Sequence, residues 1–186
     1  MAMPTVQPAW CPRLLDELRA ADARAVALAK PLTTVQINWR PSPVEWSIGQ
    51  CLDHLLVANR VYLPSITDAL QQAQRQPVQD IRPGWFGRWF IRTYIAPSSA
   101  SKKSKAPGKI APVSEVDGAV LDRFLASNEE ARRLIERARE MDVNHLRFKN
   151  PFVPLLRFTV GTGFEIIAKH QDRHLLQAER VRAAMG

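Results

Sequence analysis

His170 and His174 stand four residues apart, a spacing that on an α-helix places both imidazoles on one face and within reach of one ion. The same face carries Gly163, Ile166, Ile167, Gln177 and Val181, so it reads as a buried stripe rather than a solvent side. Farther up the chain, His54 shares a helical face with Ser47, Gln50, Cys51, Val57, Ala58 and Val61, again mostly small or apolar. Three core-facing histidines on two helices are able to converge on a metal, and neutral imidazole is a common ligand of zinc, copper, iron and nickel. A three-histidine set with no fourth protein ligand leaves a position for water or substrate, as catalytic rather than structural sites do.

Other readings of these residues compete with that one. An i,i+4 histidine pair on a helix is often incidental. The run His170-Gln171-Asp172-Arg173-His174 lacks the glutamate that an HExxH protease uses as general base. No Glu-x-x-His motif lies on the candidate helices, which argues against a ferritin-like di-iron centre. His145 has no ligand-spaced partner and reads as a loop residue. Gln50 and Gln177 lie about one turn from His54 and His174; they are candidates to hydrogen-bond a bound group or a ligand's second nitrogen, against the alternative of a buried polar residue satisfying a neighbour. Asp53 and Arg173 adjoin the ligands and are expected to pair across helices. Cys51, one turn before His54, offers sulfur, but a buried apolar cysteine is the stronger expectation.

Four helices are expected to position these side chains. The first spans about 12–30, with Leu14, Leu15, Leu18, Ala21, Ala25 and Leu28 at helical spacing and Pro12 in its first turn. A second, about 47–76, starts at a capping box made by Ser47 and Gln50, and Pro64 is expected to kink or divide it. The third covers about 114–140, its stripe including Val120, Phe124, Ala131, Leu134 and Ile135. The fourth, about 162–185, is expected to open on a capping box of Thr162 and Glu165. No repeat and no run of alternating strands is evident, so the fold class is all-α: a four-helix bundle in a single domain over 1–186. The connection over 77–113 holds five prolines and is long for a compact domain. A crossover of that length is what a bundle needs when its second and third helices run parallel.

The 186 residues include 26 Lys and Arg against 18 Asp and Glu, a net charge of +8. Seven of those excess charges lie between Ile81 and Ser114, where there is no acidic residue, so the rest of the chain is almost neutral and a nucleic-acid partner for the domain as a whole is not expected. Within that segment Trp85, Phe86, Trp89 and Phe90 alternate with Arg88 and Arg92 at approximately helical spacing. The pattern suits an interfacial helix on anionic lipid, or stacking on bases without a recognised nucleic-acid motif. The favoured reading is a lid or short helix that caps the bundle and contributes to a homodimer contact, beside a lysine-rich loop. Two cysteines are too few for a disulfide framework. There is neither a signal-peptide pattern at residues 1–10 nor an apolar run of the ~20 residues a membrane span requires. A reduced, cytoplasmic setting is the expectation.

The segment Trp46-Ser47-Ile48-Gly49-Gln50-Cys51-Leu52-Asp53-His54-Leu55 resembles the W-S-x-x-E/Q-x-x-x-H-L start of the second helix in DinB-like (DinB/YfiT) proteins, and His170 to Gln177 resembles their fourth-helix H-x-x-x-H-x-x-Q motif. The likeness spans roughly 12–184. It implies an up-down-down-up bundle and a metal triad at His54, His170 and His174. Members include thiol-dependent transferases and isomerases, a metal hydrolase and many proteins without assigned activity. The resemblance therefore implies a divalent ion, zinc or nickel first and iron or manganese next, with a low-molecular-weight thiol as cosubstrate and a small-molecule substrate. The alternatives are a non-catalytic binding bundle and a peripheral membrane protein acting through 84–109. That basic, aromatic crossover is where the chain departs from the family pattern.

Overall fold

A computed structural model describes residues 8–71, 73–97, 108–152 and 155–186. Its elements are α1 (Trp10–Ala29), α2 (Thr34–Asn38), α3 (Ile48–Gln71), α4 (Trp85–Phe90), a π-helical turn (Ile91–Ile95), a 3-10 turn (Gly108–Ile110), α5 (Val120–Ala138), β1 (Arg147–Lys149), β2 (Arg157–Thr159) and α6 (Val160–Ala184). The architecture is a four-helix bundle of α1, α3, α5 and α6 with one small antiparallel ribbon, in which Phe148 pairs with Phe158.

Contacts along the helices fix their directions. Cys11 lies by Ile135 and Asp22 by Asn128, so α1 and α5 are antiparallel. Arg13 meets Glu165 and Arg24 meets Glu179, so α1 and α6 are parallel. Between α3 and α5, Asn59 meets Asn128, while residues beyond their ends meet where Gln76 N–H donates to the Glu140 carbonyl. These two helices are parallel, and the topology is up-down-down-up. The crossover between them follows from that parallel pair, as expected from its length.

Several element ends differ from expectation, each for a local reason. α3 runs unbroken through Pro64, which sits on the exposed side together with Arg60, the residue whose carbonyl it leaves without a helical donor. α3 stops at Gln71 rather than 76, because Arg75 bridges Met141 and Gln76, preceding Pro77, is pushed to extended backbone. α5 begins at Val120 rather than 114, since residues 113–116 are held by side chains of other elements: Val113 N–H donates to Asp53 (3.0 Å) and Val116 N–H to Asn38 (2.8 Å). The capping box expected at Thr162 and Glu165 is not formed. Thr159 caps α6, its hydroxyl accepting from Thr162 N–H at 3.2 Å, and Glu165 pairs with Arg13 instead. α2 and the ribbon were not expected at all. α2 nonetheless carries the same signature as α3, a capping box between Thr33 and Gln36.

The interior has two apolar regions. One gathers Trp10, Leu14, Ile66, Ile135, Phe148, Phe158 and Phe164 at the ribbon end. The other gathers Ala25, Ile48, Leu52, Phe124, Leu175 and Val181 at the opposite end. Between them lies a buried polar layer with members from all four long helices. Asn128 Nδ2 donates to Asp22 of α1 (2.6 Å) and Gln171 of α6 (3.0 Å), and its Oδ1 accepts from Asn59 of α3 (3.0 Å) and from Gln171 (2.6 Å). Arg132 closes the layer on Asp22. Gly163 permits a close approach here: a Cβ would lie 2.8 Å from the Phe148 ring, so the ribbon seats directly on α6 only because that side chain is missing.

Candidate metal centre

His54, on the second turn of α3, and His170 and His174, midway along α6, meet where these antiparallel helices pack. One nitrogen from each ring lies within 4.8 Å of the others. Ring centroids are separated by 4.9 Å (His54–His170), 4.4 Å (His54–His174) and 4.7 Å (His170–His174). His54 Nδ1–H donates to the Ile110 carbonyl at 2.5 Å, which leaves Nε2 as the lone-pair nitrogen, 3.1 Å from His170 Nε2. His174 Nδ1–H donates to Gln177 Oε1 at 3.1 Å. Burial disfavours the charged form of all three rings: it lowers His54, holds His170 well below the usual histidine value, and with the neighbouring His54 takes His174 to about 3. The rings are therefore neutral at neutral pH, with lone pairs available.

That donor set fits a divalent ion. Two nitrogens about 2.0–2.1 Å from one ion stand a little over 3 Å apart, close to the spacing of His54 and His170. Imidazole donors without thiolate or carboxylate suit zinc, nickel, copper or iron better than oxygen-seeking ions.

The crossover supplies the wall of this site. Besides the Ile110 carbonyl, Gln50 Nε2 donates to the carbonyls of Val113 (3.0 Å) and Ser114 (3.3 Å), and Gly49 leaves room for Val116, whose Cγ2 would stand 2.3 Å from a Cβ there. Trp46 packs on two of the rings, its own ring 4.9 Å from His54 and stacked on His174 at 5.6 Å. Trp46 was missed as a site residue, although it opens the motif that contains His54.

The other expected residues divide. Gln177 reaches a ligand's second nitrogen, whereas Gln50 takes the alternative role, its oxygen on Ser47 N–H and its amide on the crossover. Asp53 and Arg173 do not pair. Asp53 accepts from Val113 N–H and Arg173 donates to the Tyr94 carbonyl (3.2 Å), so each holds the crossover from its own helix. Cys51 is fully buried in the apolar interior, where desolvation pushes its thiol up, and it stands outside the cluster. His145 is exposed and hydrogen-bonded to Asp142 (2.7 Å). Phe86 and Phe90 pack inward on Phe158, while Trp85 and Trp89 stay on the surface. The lysine-rich loop expected beside them lies outside the described residues over 98–107. No described helix is long and apolar enough to cross a membrane.

An up-down-down-up bundle with three imidazoles gathered between its second and fourth long helices defines a class of bundle with a ready-made metal-ligand set. The chain belongs to the DinB superfamily, whose model matches residues 17–178. It is 24% identical over 160 residues to YuaE, an uncharacterized protein of Bacillus subtilis (strain 168), covering 82% of this chain and 87% of that one. Among solved structures it is similar to YfiT from Bacillus subtilis, described as a probable metal-dependent hydrolase with an unusual four-helix bundle topology. The TM-score is 0.59 at 14% identity, covering all 100% of this chain and 93% of the other, and the likeness is one of fold.

Proposed function

We propose that the protein is a metal-dependent enzyme in which His54, His170 and His174 hold a divalent ion, zinc or nickel first, and act on a small-molecule substrate by thiol transfer or hydrolysis. The observation that carries this reading is the convergence of three neutral imidazoles, those of His54 and His174 buried and that of His170 half-buried, with nitrogens inside 4.8 Å. The description of YfiT as a probable metal-dependent hydrolase supports the same class.

A bound divalent ion would supply a Lewis acid able to lower the pKa of water to about 7, or to keep a thiol ionised, at neutral pH. The chain's own residues would do the rest. The Ile110 carbonyl and Gln177 hold the outer nitrogens of His54 and His174, fixing tautomer and ring orientation so that the inner nitrogens keep their lone pairs. Trp46 packs an apolar face against two of the rings, excluding water on that side. Arg173, half-buried beside His174 and held by a backbone carbonyl, adds positive charge at the edge of the cluster and favours an anionic substrate or leaving group there.

Metal analysis of untagged protein tests the site: the wild type should carry about one ion per chain, and the His54→Ala/His170→Ala/His174→Ala variant essentially none. Equal metal content in both sinks the proposal. Turnover is a separate measurement, made by screening thiols against electrophiles with hydrolytic substrates as controls. A wild type that holds metal yet turns over neither class favours the non-catalytic binding protein.

A further inference from the structure

Two stretches of the chain contain no acidic residue, 81–114 and 143–164, and together they hold ten of the 26 lysines and arginines. The fold brings them to one end of the bundle. Phe86 and Phe90 of α4 pack on Phe158 of β2 at 5.9 and 5.1 Å, Arg82 N–H donates to Asn144, and Lys109 Nζ donates to the Pro151 carbonyl. The described cations of this end, Arg82, Arg88, Arg92, Lys109, Arg147, Lys149 and Arg157, are all exposed, and none forms an ion pair among the described residues. Lys149 and Arg157 even face each other across the ribbon, an arrangement that disfavours the isolated ribbon and favours an anionic surface laid against it.

The aromatic residues at this end are sorted by type. The phenylalanines and Ile95 turn inward, whereas Trp85, Trp89 and Tyr94 remain outside, Trp85 at 76% exposure, and Leu155 at the ribbon tip is 98% exposed. Tryptophan and tyrosine beside unpaired arginines is the composition that settles at the headgroup level of a bilayer, apolar ring inward and polar edge in the wet layer. Trp89 and Tyr94 meet edge to face at 5.6 Å, so the rings already pack on one another instead of standing apart to receive bases.

We propose that this end of the bundle, made by α4, its π-helical extension and the β-ribbon, docks on an anionic lipid bilayer, with Trp85, Trp89, Tyr94 and Leu155 at the interface and the arginines and lysines on lipid phosphates. The proposal is independent of the metal site.

The test is co-sedimentation of the full chain with vesicles of phosphatidylcholine alone and of phosphatidylcholine mixed with phosphatidylglycerol. Binding should require phosphatidylglycerol and weaken as salt rises. Trp85→Ala/Trp89→Ala and Arg88→Gln/Arg92→Gln should each reduce partitioning about tenfold. All four positions are exposed, so circular dichroism should report intact helices. Tryptophan quenching by brominated lipid should fall in the first variant. A wild type left in the supernatant with both vesicles overturns the proposal, as does binding that neither double variant reduces. It is equally overturned if single-stranded oligonucleotide holds the chain where vesicles do not, or if Trp85 and Trp89 prove to hold a dimer without affinity for lipid.

Discussion

Two of the places where the bundle buries polar side chains, the amide layer and the histidine cluster, are built on opposite rules. In the Asn59–Asn128–Gln171 layer the amides meet amides, a hydroxyl or a carboxylate of another helix, so donors face acceptors. In the histidine cluster the outer nitrogens of His54 and His174 have such partners, while the inner nitrogens gather on one another, with His170 Nε2 3.1 Å from His54 Nε2, within hydrogen-bond reach. A satisfied layer specifies register at little net energy, because each group exchanges water for a protein partner. Imidazole nitrogens gathered this closely can give up their contact with one another and turn their lone pairs on a shared cation. Burial alone therefore does not mark a functional site; what marks it is burial of metal-ligating atoms whose contacts are with one another and which an ion can replace.

That contrast can be broken experimentally. The largest effect expected is on metal affinity: His54→Ala or His170→Ala should weaken zinc binding to the metal-free protein more than about hundredfold by titration calorimetry, beyond what losing an outer partner costs. His170→Ala should at the same time leave the metal-free stability within about 1 kcal/mol of wild type. Asn128→Ala should behave in the opposite sense, costing about 3 kcal/mol in urea unfolding because it strands partners on three helices, while the folded fraction keeps its zinc stoichiometry. If Asn128→Ala abolished zinc binding without loss of stability, the two regions would have exchanged roles.

A third test uses pH. The three histidines have folded-state values below the unfolded value of about 6.5, so between the two the unfolded chain binds more protons. Stability of the metal-free protein should then be level above pH about 6.5 and fall as the pH drops toward the His174 value of about 3, each histidine adding a slope of up to about 1.4 kcal/mol per pH unit. Replacing all three by glutamine should flatten that part of the profile, which denaturation midpoints across pH would show. The smallest effect is expected at Gln177→Leu: zinc affinity down about tenfold, since His174 loses the partner that fixes its tautomer, with the melting temperature almost unchanged.

The features legible from sequence were those whose cause is local. Ser47 and Gln50 cap α3 within four residues, apolar stripes repeat at helical spacing, and His170 and His174 lie one turn apart. The fourth long helix shows the limit of that approach. Thr162–Glu165 and Thr159–Thr162 both offer a plausible start, and the choice is made by Arg13 on a distant helix and by the ribbon that delivers Thr159. The ribbon itself has three residues per strand, too short for alternation to register. Asp53 and Arg173 looked like mutual partners because nothing in their own surroundings announces that a segment tens of residues away lies against both helices. The triad was visible as residue types on two faces, but Ile110, whose backbone orients His54, offers no side-chain chemistry by which sequence could single it out.

The hydrogen bond from His54 to Ile110 ties the ligand set to the crossover, and such a tie runs both ways. Whatever steadies His54 with its lone pair inward lends the same free energy to the seated crossover, and whatever lifts the crossover takes that free energy from the ligand set. Occupancy of the cluster and protection of the Gly108–Val116 backbone from hydrogen exchange are thus two readings of one equilibrium.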